Sequence, residues 1–130
     1  MPLVKIEMMK GRNPRQKKLI LDGIHQALVD SIKIPVKDRK QRIYELEPED
    51  FEVGSYKKEN YLLIEITMFK GRSLEAKKLL YKKIVSNLTN ALGIEGNEIL
   101  IVLYEPPLEN WGIRGGQLAS DVNLGYKIDI

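Results

Sequence analysis

Polar and apolar residues alternate at the start of the chain, where Val4, Ile6 and Met8 are separated by Lys5 and Glu7. A period of two predicts a strand with one buried face. Gly11 then turns the chain, Asn13 can accept from the free N–H groups that open a helix, and Pro14 suits the first helical position. Beyond it Leu19, Ile20, Ile24, Ala27, Leu28 and Ser31 gather on one helical face. Pro35 ends that helix, and a second strand is predicted from about Arg39 to Leu46. The pattern then begins again. Leu62, Ile64, Ile66 and Met68 alternate, Ser73 caps a helix carrying Leu80, Ile84, Leu88 and Ala91, and Gly93 closes it. Ile99 to Tyr104 reads as another strand, and a short strand is predicted at Tyr126–Ile130.

The second half copies the first at an offset of 60 residues. Lys10-Gly11-Arg12 recurs as Lys70-Gly71-Arg72, Lys17-Lys18-Leu19 as Lys77-Lys78-Leu79, and Tyr44-Glu45 as Tyr104-Glu105. Residues 3–48 align with 63–108 without a gap and share 14 identities in 46 positions, where chance gives about 3. Two copies are too few for a solenoid and read as a duplicated βαβ unit. Right-handed crossovers make the two strands of each unit parallel and put both helices on one side. The expected fold class is therefore α+β: two pseudo-symmetric βαβ units forming a four-stranded mixed sheet, with two helices on one face. A ferredoxin-like split arrangement has the same element order, but the gapless duplication favours neighbouring strands within each unit. The run Ile99–Leu103 is apolar on both faces, while the helices cover only one. A neighbouring subunit is the simplest cover for the other, so an oligomer is expected.

Composition narrows the function. With 130 residues, 43% of them hydrophobic and 30% charged, the chain is expected to form one domain with one core. The repeat units cover about 2–48 and 61–108, and residues 109–130 extend beyond them. No apolar run approaches the roughly 18 residues of a membrane span, and the start lacks the apolar core of a leader, so a cytoplasmic protein is expected. There is no cysteine, which excludes disulfides and thiol catalysis, and a lone His25 excludes a multi-histidine metal cage. The net charge of +3 suits small anionic substrates or weak nucleic-acid attraction and decides neither. The RNA-recognition signature with its stacking aromatics is absent. Gly115-Gly116 belongs to no phosphate-loop pattern.

The candidate chemistry starts at Pro2. Removal of Met1 would leave a secondary amine, fixed by the first strand, that can act as base or acid. The parallel pairing of strands one and two brings Asp38 towards it. The antiparallel relation of the halves returns Lys70 and Arg72 to the same end. In the symmetry-related position Leu62 replaces Pro2, Glu98 replaces Asp38, and Lys10 and Arg12 replace the cations. Only one competent site per chain is expected. Trp111 is a candidate pocket wall and Arg114 a candidate further cation. His25, Tyr44 and Tyr104 are read as packing residues.

An amino-terminal proline, two βαβ units, Asp38 after an Ile-Pro pair, and a basic pair before a Ser-capped second helix resemble the tautomerase superfamily. The likeness covers nearly the whole chain and is greatest to its fused-repeat members, the malonate semialdehyde decarboxylase-like and 4-oxalocrotonate tautomerase-like proteins. The stretch Asn110 to Gly116 is similar to members of the same group. The resemblance implies a cofactor-independent enzyme acting on a small anionic oxo acid, with Pro2 and Asp38 catalytic, Arg72 binding substrate, and a homotrimer as the assembly. It implies no metal, nucleic-acid or membrane partner. Lys70 stands where the decarboxylase pattern has a second arginine, which turns a fork-shaped clamp into a point charge. Keto–enol tautomerisation is the leading expectation. Decarboxylation or hydration of a β-oxo or unsaturated acid is the alternative, and a non-catalytic ligand-sensing module is the alternative of another class.

Overall fold

The computed structural model describes all 130 residues. The chain runs β1 (Leu3–Met9), α1 (Pro14–Ile32), β2 (Gln41–Leu46), β3 (Leu62–Thr67), α2 (Leu74–Leu92) and β4 (Ile99–Tyr104), followed by the short strands β5 (Gly112–Ile113) and β6 (Gln117–Leu118). The main sheet has the order β2-β1-β3-β4. β1 is parallel to β2, β3 is parallel to β4, and β1 and β3 meet antiparallel at the centre. The pseudo-twofold passes through the pair Lys5–Glu65, and the two halves keep the same register, with Val4 opposite Gln41 and Ile64 opposite Ile101. This is the duplicated arrangement and not the split one.

Local chemistry places both helices. Asn13 and Gln16 form a reciprocal capping box, each side chain accepting from the other's backbone N–H at 2.9 Å. Ser73 accepts from the N–H of Ala76 at 3.1 Å. α2 ends on Gly93 in the left-handed region, its N–H bonded to the Thr89 carbonyl at 2.8 Å. α1 ends on Lys33, also left-handed, so the helix stops just ahead of Pro35. The buried stripe of α1 (Ile20, Ile24, Leu28) and that of α2 (Leu80, Ile84, Leu88) press on Val4, Ile6, Met8, Leu62, Ile64 and Ile66 in one core. Burying each such side chain contributes about 1.5–3 kcal/mol.

The other sheet face carries Tyr44, Leu100 and Tyr104, each nearly half exposed. The two repeat-related tyrosines thus do not pack in the core. β2 starts at Gln41 and not at Arg39, because Arg39 swings out to pair with Asp22 at 2.9 Å. Tyr126–Ile130 is not a strand either. Its side chains do alternate, with Tyr126, Ile128 and Ile130 partly buried. Its backbone N–H groups, however, find no backbone partner. The alternation records side chains seated on two apolar clusters and not a sheet ladder. Strand pairing in the extension instead joins β5 to β6 through Arg114, Gly115 and Gly116, all at positive φ. No helix is long and apolar enough to cross a membrane.

Candidate active site

The turn between α1 and β2 presents Asp38. Its N–H donates to the Pro35 carbonyl at 3.0 Å, and the buried His25 bonds the Val36 carbonyl through Nε2–H at 2.6 Å. His25, read as a packing residue, therefore pins the turn from below. The Asp38 carboxylate meets the Met1 ammonium through Oδ2, and Lys40 approaches Oδ1 at 3.2 Å. The Tyr126 hydroxyl donates to the Met1 carbonyl at 2.9 Å. Met1 is thus held at both of its backbone ends, and its side chain joins a second apolar cluster built on Phe69, Trp111 and Ala119. Pro2 lies buried behind it, its nitrogen bonded to the carbonyl carbon that Tyr126 marks.

A cavity of about 680 Å³ opens at this point. Asp38 and Tyr126 line it, with Lys37, Lys40 and Arg114 as cations and Phe69, Ile113 and Leu124 as apolar wall. Burial opposes ionisation of Asp38, but the amino-terminal ammonium and Lys40 outweigh it and hold the carboxyl below its ordinary range. Burial raises the Tyr126 phenol, with Asp38 pushing the same way and Arg72 opposing.

The remaining expected site residues divide. Arg114 lines the cavity and is braced by a bond from Nη1 to the Asn123 carbonyl at 2.8 Å. Arg72 lies just behind the wall, only 5% exposed. Its Nη1 donates to the Phe69 carbonyl at 2.8 Å, while Nε and Nη2 have no acceptor. Burial lowers its pKa, and the neighbouring Tyr126 and Glu105 raise it in part. The C-terminal tail seals it in. A Cβ on Gly71, whose φ is +145°, would meet the Ile128 carbonyl oxygen at 3.0 Å, so only glycine lets the tail pass so close. Trp111 does not wall the cavity. It stacks edge-on behind Phe69 at 4.8 Å and spends its indole N–H on the Pro106 carbonyl at 3.1 Å. Lys70 stands exposed on its turn, outside the cavity lining.

Sequence reasoning missed Lys37, Lys40 and Tyr126. The two lysines flank Asp38 and could have been found from that alone. Tyr126 is brought in by a tail that folds back onto Met1 and Gly71, and the expectation of a strand there hid it.

Residues 38–114 match the family model described as tautomerase enzyme, and residues 2–60 match a second model with the same description. The chain belongs to the tautomerase family. The probable tautomerase YusQ of Bacillus subtilis (strain 168) is 27% identical over 122 residues, covering 90% of this chain and 96% of that protein. Malonate semialdehyde decarboxylase, whose structures are offered as a basis for decarboxylase and hydratase activities, is 26% identical with a TM-score of 0.81, covering 93% of this chain and 99% of that one. A fused 4-OT solved as an asymmetric trimer has a TM-score of 0.83 at 20% identity, over 95% of this chain and 99% of that one, and shares the fold.

Proposed function

We propose that this chain is a cofactor-independent enzyme of a small oxo acid that moves a proton with the amine of Pro2, exposed by removal of Met1. The observation that carries the reading is the clamp on Met1. Asp38 and Tyr126 hold the two polar ends of the residue attached to the Pro2 nitrogen, at the floor of the cavity. With Met1 gone, that nitrogen becomes a basic secondary amine beside both groups. In keto–enol tautomerisation it takes a proton from the carbon next to a carbonyl and returns it at the far end of the conjugated system. Arg72 and Arg114 would neutralise the carboxylate and the developing enolate oxygen, with Lys70 adding positive charge from the exposed turn. Trp111 would support the apolar wall through Phe69. Arg72 must shed the tail's cover to touch substrate directly.

A second reading is favoured by the likeness to malonate semialdehyde decarboxylase along the whole of both chains. There Asp38 keeps Pro2 cationic. The ammonium polarises a carbonyl while Asp38 activates water or helps release carbon dioxide. On either reading all 130 residues form one cytoplasmic domain. Three chains join through the open sheet face that carries Tyr44, Leu100 and Tyr104.

Intact-mass measurement of the protein, paired with an activity panel of enolisable and β-oxo acids, tests the proposal. Loss of Met1 with activity on at least one acid supports it. Retention of Met1 leaves an amide nitrogen at Pro2, which cannot act as a base, and favours a ligand-binding module instead. Sedimentation at micromolar concentration tests the trimer, and a monomer there counts against it.

A further inference from the structure

The turn that the pseudo-twofold relates to Phe69–Arg72 is not empty scaffold. A second cavity of about 280 Å³ lies at the turn from β1 into α1, lined by Lys10, Gly11, Arg12, Gln16, Glu59 and Asn60 over an apolar floor. Met9, Gly11 and Arg12 stand here where Phe69, Gly71 and Arg72 stand in the other half. Arg12 is more than half withdrawn from water and has no carboxylate within ion-pair distance. Its Nη2 donates to the Asn60 carbonyl at 3.0 Å, and its Nη1 has no acceptor. A withdrawn guanidinium with an unmet donor and no counter-charge is costly unless an anion completes it. Lys10, held by Glu47 at 2.6 Å, adds charge at the rim, and the exposed Glu59 is the one carboxylate in the lining.

From these features we infer that the cavity around Arg12 is a second binding site, for a small carboxylate, at which no turnover occurs. The ligand's carboxylate pairs with the guanidinium from the cavity side, and a stem of a few carbons fits a volume of this size. The fittings of the first site are missing. Leu62, fully buried mid-chain, occupies the place of Pro2, and Glu98 is only 4% exposed and committed to the Lys57 N–H at 3.1 Å. The duplicated unit therefore keeps anion capture and loses proton transfer. Binding at Arg12 needs no chemistry at Pro2 and stands apart from the proposed activity.

The test is a titration of the full chain with pyruvate at constant ionic strength, read by the backbone amide resonances of Gly11 and Asn13 and, separately, of Gly71 and Asp38. The expected result is a saturable shift at Gly11 and Asn13 that Pro2→Ala and Arg72→Gln leave in place. Arg12→Gln should weaken it about ten- to hundredfold, as for loss of a charged hydrogen-bonding partner. Glu59→Gln, an exposed change that spares the fold, should tighten it a few-fold. Shifts confined to Gly71 and Asp38, or a Gly11 response that neither Arg12→Gln nor Glu59→Gln alters, would overturn the inference.

Discussion

The two halves share register, helix caps and core positions, yet their equivalent ends have diverged by what covers them. In the first site the cover is the C-terminal tail, which brings Tyr126 and leaves Asp38 open to a cavity. In the mate the cover is the spacer before β3, which spends its own backbone on the same positions, Asn60 on Arg12 and Lys57 on Glu98. The duplication supplied two scaffolds with two basic pairs. The irregular segments then determined which carboxylate stays free and which is tied down.

The sharpest way to break this comparison is at its most unequal pair. Pro2→Ala should lower kcat/KM by about 10²–10⁴, the loss expected for a positioned proton-transfer group. Leu62→Ala should instead cost about 2–5 kcal/mol in urea unfolding and leave turnover per folded molecule unchanged. Next come the arginines. Arg72→Ala should reduce kcat/KM about 10–100-fold through both constants, because its charge binds ground and transition states. Arg12→Ala should leave kcat/KM within a few-fold.

Asp38→Asn separates the two mechanisms. If Pro2 is a neutral base, tautomerisation survives because the substitution lowers the amine's pKa. If Pro2 is cationic, decarboxylation and hydration disappear. The same variant has a stability signature. A carboxyl held below its ordinary range stabilises the folded chain fully above the unfolded value of about 3.9 and loses that contribution as pH falls through the lower folded value. In the chain that retains Met1, whose ammonium supplies the pairing, thermal midpoints should therefore drop more steeply below about pH 4 than those of Asp38→Asn. The smallest effect is expected at Lys70. Its replacement by alanine should change KM by a few-fold at most and stability by less than about 0.5 kcal/mol, as for an exposed side chain outside the cavity.

How much of this was legible in the sequence depends on the range of the interaction concerned. The strands around Ile6 and Ile64, the caps Asn13 and Ser73, and the pairing of the halves follow from local periodicity and from the repeat. Asp38 was legible because parallel pairing of β1 and β2 fixes where the turn before β2 must lie. The burial of Arg72 was not, since it depends on Ile128 crossing Gly71. Trp111 looked like a pocket wall because an aromatic among glycines reads so in one dimension. Its actual place behind Phe69 is set by two contacts, one with a ring 42 residues earlier and one with the Pro106 carbonyl. Tyr126 was hidden by an alternation that a strand and a tail lying on apolar clusters produce equally well.

The bond from Tyr126 to the Met1 carbonyl joins groups 125 residues apart. Such a closure carries the largest loop entropy in the molecule, and contacts of this separation form late. The sheet and both helices lie wholly within residues 3–104. On a ribosome the scaffold can therefore set before the tail emerges, with the Met1 end still open to a processing enzyme. In refolding, the helical signal should return first, and the Trp111 environment should follow as the chain's two ends meet.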